Sequence, residues 1–156
     1  MNSKHSEANV KGIRVDVRAS RKADGKVHFD TLWRNAADPN DVWRCEPIDL
    51  PHGPDHYRME FRLDDKSGHN LKFYDKPKDA MYVQVGACPS EPGNGGGQID
   101  FEDVDANKKK LTIKDYNRDP PCDLHYMLRF DGDAYGACPP YEHDPEIRNG
   151  GGGTLD

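Results

Sequence analysis

Long apolar runs are absent from this sequence. No window approaches the roughly 20 consecutive apolar residues that a membrane-spanning helix needs, and residues 1–10 lack the apolar segment of a secretory signal peptide. These absences predict a protein with no membrane partner. The simplest expectation for its location is the cytoplasm.

Apolar residues of every kind are scarce. They make up 34% of the 156 residues, and the mean hydropathy is -1.01. A chain of this length forms one domain and can bury roughly two-thirds of the surface that its unfolded form exposes. A small apolar fraction suits a two-layer sandwich, in which each strand has one face in the core and one in water.

A strongly basic surface is also missing. The sequence has 22 Lys and Arg residues against 28 Asp and Glu residues, so the net charge is -6. Binding to a nucleic-acid backbone requires a basic face, and nucleic acid is therefore excluded as the main partner. The one basic run, Lys108–Lys110, is interpreted as a solvated turn between two apolar stretches.

Closely spaced cysteine pairs are absent as well. The four cysteines lie far apart in the chain and none forms a C-x2-C motif. In the cytoplasm they are expected to be free thiols. In an exported protein four cysteines would allow three disulfide pairings, among which the sequence does not choose. They are Cys45, Cys88, Cys122 and Cys138.

Where apolar residues do occur, they alternate with polar ones. Tyr57, Met59, Phe61 and Leu63 alternate with charged residues, a pattern typical of a half-buried strand. This regularity argues against disorder, the other interpretation of a polar chain. Strands are predicted at 13–17, 27–33, 57–63, 81–85 and 124–130, shorter ones at 42–46, 71–74, 99–104 and 111–114, and a single helical turn at 76–80.

Gly- and Pro-containing turns separate these segments at intervals of about 8–12 residues. We therefore expect an all-β, immunoglobulin-like antiparallel β-sandwich of about seven to nine strands. The domain is expected to span residues 10–147. Residues 1–9 and the Gly-rich residues 148–156 are expected to be flexible tails.

The segment Gly-Ala-Cys-Pro occurs twice, at 86–89 and at 136–139, each time followed by a Gly-rich stretch. The first interpretation is two strand-exit turns at equivalent positions. A redox or metal pair formed by Cys88 and Cys138, or a duplicated binding loop, are the alternatives. Because rigid sheets present function on their loops, the candidate contact residues are Cys88, Asn94, Tyr135, Cys138, Tyr141 and His143.

Metal ligation is one chemistry that the residues suggest. Asp103, Asp105 and Asn107 have the spacing of the first ligands in an EF-hand calcium loop. Lys108 and Lys114 then stand where such a loop has Gly and Glu, so a polar turn is favoured over a metal site. Zinc is less well supported, because histidines at 52 and 56 and the pair 138 and 143 lack a matching Cys pair. No cofactor is predicted.

Thiol catalysis is another chemistry. Cys88 or Cys138 could act with His125 or His143 as a thiol–imidazole pair. The distance along the chain does not test this pairing. No Gly-x-Ser-x-Gly elbow and no phosphate-binding Gly fingerprint occurs, so other nucleophilic or nucleotide chemistry has no motif here.

Aromatic side chains offer a further kind of surface. Exposed aromatic residues on a sandwich favour sugar or peptide binding, whereas tryptophan in a sandwich more often belongs to the core. Trp33 and Trp43 are therefore interpreted as core residues, and Tyr135 and Tyr141 as surface residues.

Five Asp-Pro or Glu-Pro dipeptides punctuate the chain, at 38–39, 46–47, 91–92, 119–120 and 144–145. This pattern resembles the uncharacterised bacterial DP-EP family, which implies an immunoglobulin-like β-sandwich. The segment 141–147, Tyr-Glu-His-Asp-Pro-Glu-Ile, is similar to the closing motif of bacterial inclusion-body proteins of the PixA/AidA type. Neither resemblance implies an activity or any catalytic residue.

The function expected from these features is a non-enzymatic interaction or structural module. Its partner is an unknown protein or a second copy of the chain, since an open sandwich has strand edges that can pair. A metal- or ligand-binding sandwich is the first alternative, with Asp103, Asp105 and Asn107 as the candidate ligands. A thiol-dependent enzyme is the second.

Overall fold

The computed structural model describes residues 10–51, 53–118, 121–133, 141–143 and 146–149. This part of the chain is almost entirely β-structure. The elements are β1 Val10–Arg21, β2 Val27–Asn35, β3 Arg44–Cys45, β4 Ile48–Leu50, β5 His56–Lys66, β6 Lys72–Phe73, α1 Pro77–Ala80, β7 Met81–Val85, β8 Ile99–Val104, β9 Lys110–Asp115, β10 Cys122–Asp131, β11 Tyr141–His143 and β12 Glu146–Asn149.

Six strands form the first sheet, sheet A, in the order β3-β2-β1-β5-β9-β8. At its centre β1 and β5 are parallel, from Val10 opposite His56 to Ser20 opposite Lys66. The other neighbours are antiparallel. The expected fully antiparallel order is wrong here, because the chain crosses to the other sheet and back before β5 and so re-enters sheet A in the direction of β1.

The second sheet, sheet B, is built around β10. Leu124 of β10 pairs with Val85 of β7 on one side and with Ile147 of β12 on the other. Further along β10, β6 pairs with it on the side of β7, and β11 pairs with it on the side of β12. β4 lies beside β12 in a second parallel pair, with Ile48 opposite Ile147. Both sheets are therefore mixed.

The two sheets pack through one layer of apolar side chains. In β5 the alternation directs Tyr57, Met59, Phe61 and Leu63 into this layer, and none of them is more than 8% exposed. Phe61 of sheet A meets the ring of Tyr126 in sheet B edge to face, with centroids 5.5 Å apart. Burial of one such side chain contributes about 1.5–3 kcal/mol, so this layer is the main source of stability.

The short segment that contains β3 and β4 is an edge for both sheets. β3 pairs with β2 in sheet A, and β4 pairs with β12 in sheet B. The bond between them, Glu46-Pro47, is cis. The indole N–H of Trp33 donates to the carbonyls of Cys45 and Pro47, at 3.1 and 3.2 Å. This bifurcated hydrogen bond holds residues 44–50, which we call the crossing segment, against the core.

A second segment joins the sheets on the opposite side. The backbone N–H of Val83 in β7 donates to Gly93 O at 2.9 Å, and Gly95 N donates back to Val83 O at 3.1 Å. The neighbouring Asn94 O accepts from Ile99 N of β8 at 3.1 Å. Residues 93–95 are therefore bonded to both sheets, and we call them the Gly93–Gly95 strap.

Three strands are missing from the sequence prediction: β4, β11 and β12. Each has four residues or fewer, too few for an alternating pattern to stand out, and each depends on a longer neighbour for its hydrogen bonds. The described residues accordingly form twelve strands, more than the about seven to nine that the sequence predicts. β12 continues to Asn149, past the expected domain limit at 147. The predicted strands of the longer segments and the helical turn at α1 are confirmed.

The two tryptophans have different environments. Trp33 is only 8% exposed, which confirms the prediction of a core position, whereas Trp43 is 39% exposed and that prediction is wrong. The guanidinium carbons of Arg14 and Arg34 lie 5.5 and 5.1 Å from the Trp43 ring centroid. Trp43 is thus held on the surface by cation–π contacts.

Within the described ranges, no helix has the length and apolar character needed to cross a membrane.

The Gly93–Gly95 strap yields a prediction about stability. Gly95 has φ +69°, and a methyl group there would lie 3.0 Å from the side chains of Leu124 and Val83. We expect Gly95→Ala to lower the free energy of unfolding by about 2–5 kcal/mol, from about 1–2 for the left-handed backbone and about 1–3 for overpacking. Urea denaturation of the purified protein measures this change.

Gly96 is the matched control. Its φ is +68°, but a methyl group there meets no atom within 4 Å. Gly96→Ala should therefore cost only the backbone contribution of about 1–2 kcal/mol. Equal losses for the two variants would contradict the packing role of Gly95.

Candidate functional site

Among the described residues, the outer side of β2 has no strand partner over five residues. β3 pairs with β2 only at Leu32 and Trp33, and in the part of the chain that the structure describes no strand pairs with the outer side of Val27–Thr31. We call Val27–Thr31 the open β2 edge. An unpaired row of backbone N–H and C=O groups is a template for a further strand.

A notch of about 440 Å³ lies along this edge, where β3 ends. Aromatic, charged and thiol side chains line the notch beside the backbone of β2. The residues that line it include Arg18, Phe29, Asp30, Thr31, Cys45 and Glu46.

Aromatic contacts hold the open β2 edge rigidly over sheet B. The ring of Phe29 stacks on Phe130 of β10 and on His143 of β11, with centroid distances of 5.3 and 5.2 Å. Thr31 Oγ1 lies 2.7 Å from His143 Nε2. Because these contacts fix the strand without using its outer backbone groups, the edge is ordered and still able to accept a partner.

The hydroxyl, imidazole and carboxylate groups at the notch do not form a catalytic relay. A triad requires the nucleophile on one ring nitrogen of histidine and the carboxylate on the other. Here Thr31 Oγ1 and Glu46 Oε1 both approach Nε2 of His143, at 2.7 and 3.4 Å. The arrangement therefore ties β2, β11 and the crossing segment together rather than activating Thr31.

Opposite charges alternate on the outer face at this edge. His28 Nε2 lies 3.1 Å from Asp30 Oδ1. On the next strands, Arg18 of β1 is flanked by Asp30 of β2 and Asp64 of β5. The edge thus presents one basic group and one acidic group two residues apart.

Two predicted contact residues, Cys88 and Asn94, are exposed. Asn94 is part of the Gly93–Gly95 strap, and its side-chain oxygen accepts the backbone N–H of Gly97 at 3.0 Å. Its position is explained by the turn that it forms. Tyr135, Cys138 and the second Gly-Ala-Cys-Pro copy lie outside the described residues.

The prediction of a surface loop position for Tyr141 is wrong. Tyr141 lies in β11 and is 7% exposed. Its hydroxyl donates to the carbonyl of Asp133 and lies 3.2 Å from Nδ1 of the buried His69. His143, two residues further along β11, is the one predicted contact residue within the described ranges that lies at the open β2 edge.

Of the residues predicted as metal ligands, Asp103 lies near the end of β8, and Asp105 and Asn107 lie in the turn between β8 and β9. Asp105 Oδ1 accepts the backbone N–H groups of Lys109 and Lys110, at 2.9 and 3.1 Å, which stabilises the turn. Asp103 and Asn107 are exposed. Among the described side chains, no group of three His, Cys, Asp or Glu residues is arranged to hold a metal ion.

The histidines predicted to act with a cysteine have other neighbours. His125 Nε2 lies 3.7 Å from Glu146 Oε2, and His143 contacts Thr31 and Glu46 as described above. The cysteine that lines the notch is Cys45, which the sequence did not identify. Neither the alternation of β2 nor the position of Cys45 in the chain indicates which strand lies at an edge.

No protein-family model and no curated protein matches this chain. Among solved structures, one similar chain is the inclusion body protein PixA from Burkholderia cenocepacia J2315. The identity is 7%, the alignment covers 90% of this chain and 95% of that one, and the TM-score is 0.32. Similarity at this level carries no argument about function.

The environments of the cysteines predict their reactivity. Cys45 and Cys88 are exposed, whereas burial raises the pKa of the half-buried Cys122 thiol. Because the thiolate is the reactive form, iodoacetamide should alkylate Cys122 at least several-fold more slowly than Cys45 and Cys88. Peptide mass spectrometry over a time course measures the three rates. Unfolded protein is the control, in which the rates should converge, and an equally fast Cys122 in the folded protein would refute this assignment.

Proposed function

We propose that this protein is a non-enzymatic structural module that associates with a second copy of itself through the open β2 edge. The observation that carries the proposal is the five-residue backbone edge that has no strand partner within the described residues. Strand addition at such an edge joins two sheets through main-chain hydrogen bonds.

The side chains of the edge are complementary to themselves. In an antiparallel pair of β2 edges centred on Phe29, His28 of one copy stands opposite Asp30 of the other, and Val27 opposite Thr31. A twofold axis repeats each contact, so the pair contains two contacts between a histidine and an aspartate that can share a hydrogen bond. This self-complementarity favours a second copy over an unrelated partner.

Two further features support a non-enzymatic role. His143 contacts Thr31 and Glu46 through one nitrogen, which is not the geometry of a nucleophile and its base. Asp105, central to the predicted metal loop, is occupied by backbone N–H groups. The thiol-enzyme and loop-metal alternatives therefore have less support than association.

The class of sandwich and the cellular setting are also proposals. Two sheets packed through one apolar layer support the immunoglobulin-like class, from which the parallel pairs β1–β5 and β4–β12 are departures. The Asp-Pro and Glu-Pro dipeptides support the DP-EP resemblance and a bacterial origin. The composition supports a cytoplasmic protein.

A charge reversal at the edge tests the proposed association. Asp30→Lys places a lysine opposite His28 of the second copy in both symmetry-related contacts. Favourable polar pairs across strands contribute about 0.2–1 kcal/mol each. Loss of the two pairs, about 0.4–2 kcal/mol in total, should weaken association roughly two- to thirtyfold, as measured by sedimentation equilibrium over a range of concentrations.

Asp64→Lys is the matched control. Asp64 and Asp30 flank the same Arg18, but Asp64 lies on the inner strand β5. It should leave association unchanged. A wild-type chain that stays monomeric at the highest concentrations, or two variants that weaken association equally, would exclude the open β2 edge as the interface.

A further inference from the structure

A cluster of buried polar side chains closes one end of the apolar layer. Asp115 is the last residue of β9 and Asn149 the last residue of β12, and Asn117 follows Asp115 closely. Asp115 and Asn149 are 0% exposed and Asn117 is 2% exposed. These three residues, which we call the buried polar cluster, come from both sheets.

Hydrogen bonds fix the orientation of all three side chains. Asp115 Oδ1 accepts the side-chain amide of Asn149 at 2.9 Å and the backbone N–H of Asn117 at 2.8 Å. The side-chain amide of Asn117 donates to Pro51 O at 2.8 Å. Turning the Asn149 amide around would place its oxygen against the carboxylate of Asp115, so its nitrogen must face Asp115.

This orientation leaves three oxygen atoms without a donor. Asp115 Oδ2, Asn117 Oδ1 and Asn149 Oδ1 are buried and have no hydrogen-bond partner among the described residues. Nearly all buried polar atoms in proteins have a partner. The donors of the cluster hold its side chains in place, so among the described residues these oxygens stay open to an electropositive group from outside the cluster.

The cluster also carries a charge that nothing described here balances. Asp115 forms no ion pair among the described residues. Burial raises the pKa of its carboxyl group to about 6, which is still below neutral pH. The carboxylate is therefore mostly ionised at neutral pH, and a water molecule would supply donors but no compensating charge.

We propose that Asp115, Asn117 and Asn149 bind a monovalent cation, with Na⁺ as the ion of matching chemistry. Carboxylate and amide oxygens are ligands for hard cations. One carboxylate neutralises one positive charge, whereas Ca²⁺ or Mg²⁺ would leave a net positive charge in a buried site. The bound ion would join the ends of β9 and β12 and so stabilise the contact between the two sheets.

Thermal unfolding of the full chain at neutral pH tests the site. Melting is compared in about 0.1 M NaCl and in choline chloride of the same ionic strength, because choline is too large for the cluster. A ligand that binds only the folded state raises the melting temperature with its concentration. We expect a rise of several degrees in NaCl that saturates, and a direct binding signal in ²³Na NMR relaxation. Equal melting in the two salts would overturn the proposal and leave water or a proton as the partner.

Variants separate the site from its general effect on stability. Asp115→Asn removes the charge and should abolish the response to NaCl. Asp65→Asn is the control and should keep the response. Like Asp115, Asp65 accepts backbone N–H groups, but it is half-buried and lies outside the cluster. A response that survives in Asp115→Asn would refute the assignment.

A third variant keeps the test decisive if Asp115→Asn does not fold. Asn149→Asp adds a second carboxylate, and charge balance then favours a divalent ion. Its melting temperature should rise with CaCl₂ more than with NaCl, whereas the wild type should show the reverse order. The same order in both proteins, or no ²³Na signal from the wild type, would contradict a cation site balanced by the charge of Asp115.

Discussion

The structure depends on keeping one thin apolar layer closed to water. Only 34% of the residues are hydrophobic, enough for one side-chain layer between two sheets. At the centre of that layer Phe61 of β5 meets Tyr126 of β10, and both side chains are 0% exposed. The segments at the edges of this layer determine whether water can reach it.

Three borders are sealed by segments that bond to both sheets. On one side the crossing segment is held by the indole N–H of Trp33, and on the other the Gly93–Gly95 strap joins β7 to β8. At one end Asp115 and Asn149 connect β9 with β12. The fourth border, beside Val27–Thr31, is sealed underneath by Phe29 and His143, and within the described residues no strand pairs with its outer side. β8, at the other end of sheet A, also pairs on one side only among these residues. Function is assigned to Val27–Thr31 because its side chains complement those of a second copy.

Sequence reasoning predicted the elements better than their arrangement. The alternation in β1, β2, β5, β7 and β10 was long enough to identify each strand and its core face. The parallel pairs and the short strands β4, β11 and β12 were missed, because they depend on partners distant in the chain. For the same reason the sequence predicts the exposed loops as the site and a surface position for Tyr141, which is buried. Of the predicted contact residues that the structure describes, only His143 lies at the open β2 edge, and the edge itself follows from strand order.

Amide hydrogen exchange as a function of protein concentration tests the central claim most directly. Backbone N–H groups that become hydrogen-bonded on association exchange more slowly. The account predicts that added protection at high concentration is confined to peptides that contain Val27–Thr31, with β8 and the Gly93–Gly95 strap unchanged. Protection that appears at β8 instead, or exchange that does not depend on concentration anywhere, would contradict assembly through the open β2 edge.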